Sequence, residues 1–377
     1  MFYLLYELLR NLKINIPGAG VFQYITFRAA GAAITALLIS FIFGPKIIRF
    51  IKRKQIGESA KLELEGVGLH SEKSGTPTMG GLIILLSLML PTVLWANISN
   101  IYVILILSIT IWLGIVGFID DYLKVIKKKH KGLIAKYKLI GQIFIGLVLA
   151  CIIFFFPDLF SSMFADFNTK TTVPFAKFEH FDFSILYIPI VVFIITLSSN
   201  AVNLTDGLDG LAIGTVGIAA LALAIISYIT GNSEFAHYLN IEYFPGSGEL
   251  TIFASALVGA ALGFLWYNSY PAQIFMGDTG SLALGGAIGA LCVLIKKEFL
   301  LPIIGGVFFA ETISVIIQVS YFKYTRKKYG EGRRLFKIAP LHHHFEKIGW
   351  HESKIVTRFY IIAIMLAIFA MATFKVR

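Results

Sequence analysis

Charge is scarce in this chain: of 377 residues, 15% are Asp, Glu, Lys or Arg, against 57% hydrophobic and 14% aromatic. A soluble domain carries about a quarter charged residues, so the shortage excludes an ordinary soluble globule and points to an integral membrane protein. Cysteine is almost missing. Cys151 and Cys292 both fall in apolar stretches without metal-type spacing, which excludes a disulfide framework. The apolar runs lack period-two alternation and therefore read as helices, not as strands of a membrane barrel. No cleavable signal peptide is evident; Glu7, Arg10 and Lys13 among aliphatic residues read as an interfacial, amphipathic start. No linker is long enough to part soluble domains, so residues 1–377 read as one polytopic membrane domain.

What is present instead is a series of ten apolar segments, near residues 22–43, 79–97, 101–119, 137–156, 185–201, 208–230, 250–268, 279–296, 300–322 and 354–374. Each approaches the roughly 20 residues that cross about 30 Å of hydrocarbon. The net charge is +11, and its placement is informative. Lys and Arg number seven between Gly44 and Thr78, seven between Asp120 and Lys138, and nine between Lys323 and Lys354, while the alternate loops are poor in them. By the positive-inside rule the basic loops lie in the cytoplasm and both termini outside. The expected fold is an all-α integral membrane protein of about ten transmembrane helices. Topology and attraction to anionic lipid account for the basic loops, so no nucleic-acid partner is expected. Alternating aromatics between Thr172 and Phe183 predict a small external β-hairpin.

The polar exceptions carry the chemistry. In Asn200-Ala-Val-Asn203-Leu-Thr-Asp206-Gly207-Leu208-Asp209-Gly210, two carboxylates and two carboxamides stand between apolar runs, where each charge is costly (about 3 kcal/mol at mid-bilayer) and marks function. Asp120-Asp121 places two repelling carboxylates at the inner end of the third segment, which calls for a bound cation, an exchangeable proton or basic partners. Lys124, Lys127 to Lys129, Lys131 and Lys136 follow directly. Asp278, in Phe275-Met-Gly277-Asp278-Thr-Gly-Ser281, is either a helix N-cap or a fourth member of the same inner-face acidic set. Lys73-Ser-Gly-Thr-Pro-Thr78-Met-Gly-Gly81 offers exposed amides and a cation that suit a phosphate. His342-His343-His344 cannot all point one way and make a poor zinc site, but imidazoles can donate to phosphate oxygens. Gln318 reaches the same region from the ninth segment. Carboxylates on separate loops of one basic face suit a Mg²⁺-dependent phosphoryl transfer, and the membrane setting implies a lipid substrate.

Taken in order, Asp120-Asp121, Asn203-Leu-Thr-Asp206-Gly-Leu-Asp209-Gly-Leu, Phe275-Met-Gly-Asp278-Thr-Gly-Ser and His342-His-His-Phe-Glu346 resemble the polyprenyl-phosphate hexose-1-phosphate transferase superfamily. The triple histidine and the Lys73–Gly81 loop are most similar to its phospho-N-acetylmuramoyl-pentapeptide transferase family. The resemblance covers nearly the whole chain. It implies transfer of a phospho-sugar from UDP-N-acetylmuramoyl-pentapeptide to undecaprenyl phosphate, giving lipid I and UMP, with Mg²⁺, at the inner face of the bacterial cytoplasmic membrane, in a homodimer. Asp278 would be the main metal ligand and Asn203 a second. Asp120 or Asp121 would accept a proton from, or orient, the lipid phosphate, while Lys73 and His342 stabilise phosphate charge. Gly207, Leu208 and Asp209 would line a uridine pocket with Phe275 stacked on the base. Asn200, Asp206, Asn268 and Gln318 would hydrogen-bond nearby, and Lys124 and Lys136 contact phosphate or headgroup. Thr78, His343 and His344 complete the expected substrate contacts. Two other readings remain open: a sister transferase acting on UDP-N-acetylglucosamine, and an ion-coupled transporter, which predicts acids near mid-membrane and paired repeats.

Overall fold

A computed structural model describes residues 1–14, 17–54, 76–127, 132–175 and 180–374. Its helices are α1 (Phe2–Asn11), α2 (Ile25–Lys54), α3 (Gly81–Trp95), α4 (Ile101–Val125), α5 (Ala135–Phe155), α6 (Ser162–Ala165), α7 (Tyr187–Thr205), α8 (Leu211–Thr230), α9 (Ser233–Leu239), α10 (Leu250–Asn268), α11 (Gly277–Leu294), α12 (Leu301–Ile304), α13 (Gly306–Tyr329), α14 (Leu341–Ile348) and α15 (Glu352–Ala372). Long apolar runs become helix because every backbone amide must be satisfied within its own segment in a greasy medium. Polar caps mark several ends: the Asn100 side chain accepts from Tyr102 N to open α4, and His351 does the same for Ser353 N ahead of α15.

Among the described residues, eight helices are long and apolar enough to cross a membrane. The ninth expected span is not one straight rod: α12 and α13 meet at an 82° bend. Gly305 and Gly306 sit at the break and Pro302 opens α12, which are the ordinary causes of a sharp turn in a helix. The second expected span is a shorter helix, the 15-residue α3. Rows of exposed side chains such as Ile34, Leu38 and Phe41 on α2, and Leu139, Ile143 and Leu147 on α5, give the bundle an apolar outer surface.

The centre of the bundle is α11, where every residue from Thr279 to Leu294 is buried. Its small residues make that possible. A Cβ on Gly285 would lie 2.4 Å from Ser198 O on α7, and one on Gly117 of α4 would lie 2.1 Å from Asp278 O. The helices therefore touch backbone to backbone, as small-residue membrane interfaces do. This close packing draws the last turn of α4, the first turn of α11 and the end of α7 to one end of the bundle.

At the other end of α11, about 27 Å away at 1.5 Å per residue, stands the expected hairpin. Strands β1 (Lys170–Thr172) and β2 (His180–Asp182) are antiparallel, with Thr171 opposite Phe181. A buried polar network pins them: Lys296 Nζ donates to Asn168 O (2.8 Å) and Tyr187 Oη (2.7 Å), while Thr171 Oγ1 and Tyr187 Oη donate to the two oxygens of Glu298 at 2.5 and 2.6 Å. At that same end a second buried pair, Arg28 to Glu249 at 2.6 Å, joins α2 to the start of α10.

Candidate active site

Asp120 and Asp121 follow one another on α4, so they point about 100° apart and do different work. Asp121 is buried and accepts from Asp278 N (3.1 Å), Thr279 N (2.9 Å) and Thr279 Oγ1 (2.5 Å). It caps the start of α11 from a neighbouring helix, satisfying amides that have no partner within α11. Asp120 is fully buried; its Oδ1 accepts from Leu133 N (2.6 Å), and its Oδ2 lies 2.5 Å from Lys124 Nζ and 2.8 Å from Lys138 Nζ. The same two ammonium groups reach Asp278 Oδ2, at 3.3 and 2.5 Å. Asp278 Oδ1 accepts from Asn203 Nδ2 (2.9 Å), which also contacts Ser281 Oγ (2.7 Å).

Asp120, Asp121 and Asp278 thus each bring one oxygen to within 4.8 Å of the others. Three carboxylates at that spacing repel strongly, and the two lysines offset most of the charge. The donors are hard oxygens, the type that suits Mg²⁺ or Ca²⁺ over softer metals. Asp120 and Asp278 share the face that meets the cations, whereas both oxygens of Asp121 are engaged by the start of α11. Asn203 meets Asp278 through its amide nitrogen, so a ligand role for Asn203 would fall to its Oδ1.

The loop before α3 closes one side. Phe275 N donates to Pro77 O, and Gly80 N to Phe275 O, both at 2.8 Å, so residues 77–80 run against 275 like a short ladder. Gly277, at φ +74°, has no room for a side chain: a Cβ there would lie 2.7 Å from Asp121 Oδ2 and 2.9 Å from Thr78 Oγ1. Thr78 therefore stands beside Gly277 and the Asp121 carboxylate. Lys73 lies outside the described residues.

The turn after α7 forms the second wall. Asp206 and Gly207 are half-buried, and Gly210 takes φ +80°, the left-handed region open to glycine. The turn is clamped from outside it: Glu352 Oε1 accepts from Asp209 N (2.6 Å), Asp209 Oδ2 from Ala272 N (2.9 Å), Asn268 Oδ1 from Gly210 N (3.1 Å), and Gly210 O from Tyr360 Oη (2.6 Å). Asn268 Nδ2 donates to Ile274 O at 2.8 Å. Asp209 and Asn268, expected at or near the uridine, are thus tied to the backbone of Gly210, Ala272 and Ile274. The Leu208 side chain is buried with Leu211, Val307 and Phe359. Asn200 Nδ2 donates to Gln142 Oε1 (2.8 Å), linking α7 to α5 one turn before Asn203.

The three histidines open α14 and point three ways. His342 is fully buried; its backbone N donates to Glu311 Oε1 (3.2 Å), and its Nδ1 lies 3.2 Å from Glu311 Oε2. Its Nε2 faces Gly207, where a Cβ would stand 2.1 Å away. Burial holds the imidazole below the ordinary histidine range, with the Glu311 carboxylate pulling the other way. His343 Nδ1 meets Glu346 Oε2 at 2.6 Å, and His344 Nδ1 accepts from Lys337 N at 3.1 Å. Gln318 Oε1 accepts from Leu335 N and Phe336 N (3.1 and 2.9 Å), holding the loop that leads to α14.

Lys138 was not among the expected residues. Lys136 is exposed on α5, and Lys138 is the cation from that turn that reaches the aspartates. Glu311, Glu352, Tyr360 and Gln142 were also unforeseen. Glu311 had a signal, being the single acid in the 300–322 segment.

Together these features define a class: a multi-pass membrane protein with a polar centre, built of aspartates and lysines, at one end of its helical bundle. Residues 101–296 match the model of glycosyl transferase family 4, and residues 73–85 match signature 1 of phospho-N-acetylmuramoyl-pentapeptide-transferase. Curated relatives of that name include those of Chloroherpeton thalassium, 52% identical over 377 residues, Flavobacterium johnsoniae, 47% over 413, and Flavobacterium psychrophilum, 48% over 413; each alignment covers 100% of both chains. The chain belongs to the phospho-N-acetylmuramoyl-pentapeptide transferase family, and it is a transferase enzyme of peptidoglycan synthesis. The transporter alternative falls with that assignment.

Proposed function

We propose that this enzyme moves phospho-N-acetylmuramoyl-pentapeptide from its UDP conjugate to undecaprenyl phosphate, giving lipid I and UMP. An oxygen of the lipid phosphate forms a bond to the sugar-bound phosphorus, and the bond from that phosphorus to UMP breaks. The observation that carries the reading is the pair of lysines shared between Asp120 and Asp278. Such an arrangement suits phosphate groups and a divalent ion, because the ammonium groups can turn from carboxylate to phosphate as the substrates enter.

Mg²⁺ would be held by Asp278 and Asp120, with Asn203 Oδ1 beside them, and would neutralise charge on the phosphates. Asp120 is the better candidate to orient the lipid phosphate or take its proton, since Asp121 is committed to the start of α11. A single in-line displacement is favoured over an aspartyl-phosphate intermediate, because these carboxylates are already engaged by lysines and backbone amides and are better suited as ligands and bases than as nucleophiles. Uridine would lie between the Asp206–Gly207 turn and Phe275.

The reading places ten spans in the inner membrane, counting α3 and the bent α12–α13 pair, with both termini and the hairpin outside and the aspartates at the cytoplasmic face. The basic loops flanking the cluster support this sidedness. A homodimer is part of the same proposal, by similarity to the family. The test is UMP release by purified protein supplied with Mg²⁺, undecaprenyl phosphate and either UDP-N-acetylmuramoyl-pentapeptide or UDP-N-acetylglucosamine. Release from the muramoyl donor alone is expected; release from the glucosamine donor alone selects the sister activity.

A further inference from the structure

Glu311 stands out among groups that the reaction does not use directly. It is fully buried on α13, in an otherwise apolar stretch, and its carboxylate meets both the backbone N and the ring Nδ1 of His342, each at 3.2 Å. A carboxylate in such a place is costly unless it has a task. On the far side of the ring, Nε2 is buried and faces Gly207; among the described residues neither ring nitrogen makes a formed hydrogen bond, and the Nδ1 contact with Glu311 is a close approach at 3.2 Å. A carboxylate 3.2 Å from one ring nitrogen favours the proton on that nitrogen and leaves the lone pair on the other, which orients the imidazole.

We infer that Glu311 is a positioning residue for His342: it keeps the ring proton on Nδ1 and presents the Nε2 lone pair to the Asp206–Gly207 turn as a hydrogen-bond acceptor. The inference rests on the reading of that turn as a substrate wall. It also changes what His342 does there. A neutral ring held in this way meets a donor on the nucleotide-sugar substrate, such as a hydroxyl or an amide N–H, and a phosphate oxygen becomes its partner only if the ring is protonated. The absence of a side chain at residue 207 fits the same picture, because any Cβ would fill the space in front of Nε2. Among the described residues, the charged or titratable groups that act on the ring are Glu311 from α13 and His343 and Glu346 from α14.

The test has a spectroscopic and a kinetic arm. In the full-length protein labelled with ¹⁵N-histidine, the His342 signals are assigned by their loss in His342→Gln. The expected pattern is a protonated Nδ1 and an unprotonated Nε2, lost or reversed in Glu311→Ala and retained in Glu311→Gln, whose amide oxygen still accepts. A His342 proton on Nε2 in the wild type overturns the proposal. In the kinetic arm, Glu311→Ala is expected to lower kcat on the order of 10- to 100-fold, and Glu311→Gln to recover most of it. In a His342→Ala background, Glu311→Ala should cost nothing more; fully additive losses mean that Glu311 acts elsewhere and overturn the positioning role. The spectroscopic arm needs no turnover, so a wild type without transferase activity contradicts the proposed reaction while the tautomer is still read directly.

Discussion

Lys138 Nζ lies 2.5 Å from Asp278 Oδ2, so a side chain from the first turn of α5 ties itself to the first turn of α11. The same nitrogen reaches Asp120 on α4. Lys136, two residues earlier, is turned away by about 200° and is exposed. Lys138→Met is therefore expected to lower kcat by about 100-fold, the usual loss of one donor to a charged transition state, whereas Lys136→Met changes it by less than about 3-fold. UMP release measured side by side checks this, and equal effects contradict it.

Close contact of α4 with α11 is what brings Asp120 and Asp121 to Asp278. A methyl on Gly117 would meet the Asp278 carbonyl at 2.1 Å, and backbone cannot move aside as a flexible side chain does. Gly117→Ala should destabilise the fold by about 1–3 kcal/mol, the cost of overpacking a tight interface, and should lose most of its turnover. Melting temperature in detergent and UMP release are the measurements. A variant unchanged in both is inconsistent with this packing.

The hairpin end is expected to behave differently. Lys296→Met removes the ammonium that donates to Asn168 O and Tyr187 Oη and offsets the buried charge of Glu298. Breaking one side of a buried pair costs about 3–5 kcal/mol, so the melting temperature should fall clearly. Turnover per folded molecule at low temperature should persist, because the aspartates lie at the opposite end of α11. Loss of turnover without loss of stability contradicts this division.

Phe275 sits between the Pro77–Gly80 loop and the start of α11, next to the cluster. Base stacking on an aromatic ring is worth about 1–3 kcal/mol, so Phe275→Ala should raise the Kd for UMP by about 10-fold or more. Calorimetric titration reads it directly, and an unchanged Kd removes the stacking assignment.

Much of this site could be read in the sequence because polar residues are conspicuous against an apolar background. Asp120, Asp121, Asn203 and Asp278 each interrupt or end a greasy run, and the structure gathers them. The hairpin was legible from its aromatic alternation, although the strands begin at Lys170 instead of Thr172. Lys138 was not singled out, because a run of lysines carries no mark of which one faces inward until the helix phase is known. Asp209 and Asn268 were legible as polar, but their commitment to Ala272, Gly210 and Ile274 depends on how a left-handed glycine folds the turn. The 82° bend had its signal in Pro302, Gly305 and Gly306, yet hydropathy alone counts that stretch as one span.

The most direct test of the account is UMP release by Asp278→Ala, supplied with undecaprenyl phosphate, UDP-N-acetylmuramoyl-pentapeptide and Mg²⁺. The account predicts release at background, with the melting temperature and elution volume of the folded wild type retained. Turnover near the wild-type rate in that variant contradicts the aspartate and lysine cluster as the seat of the chemistry.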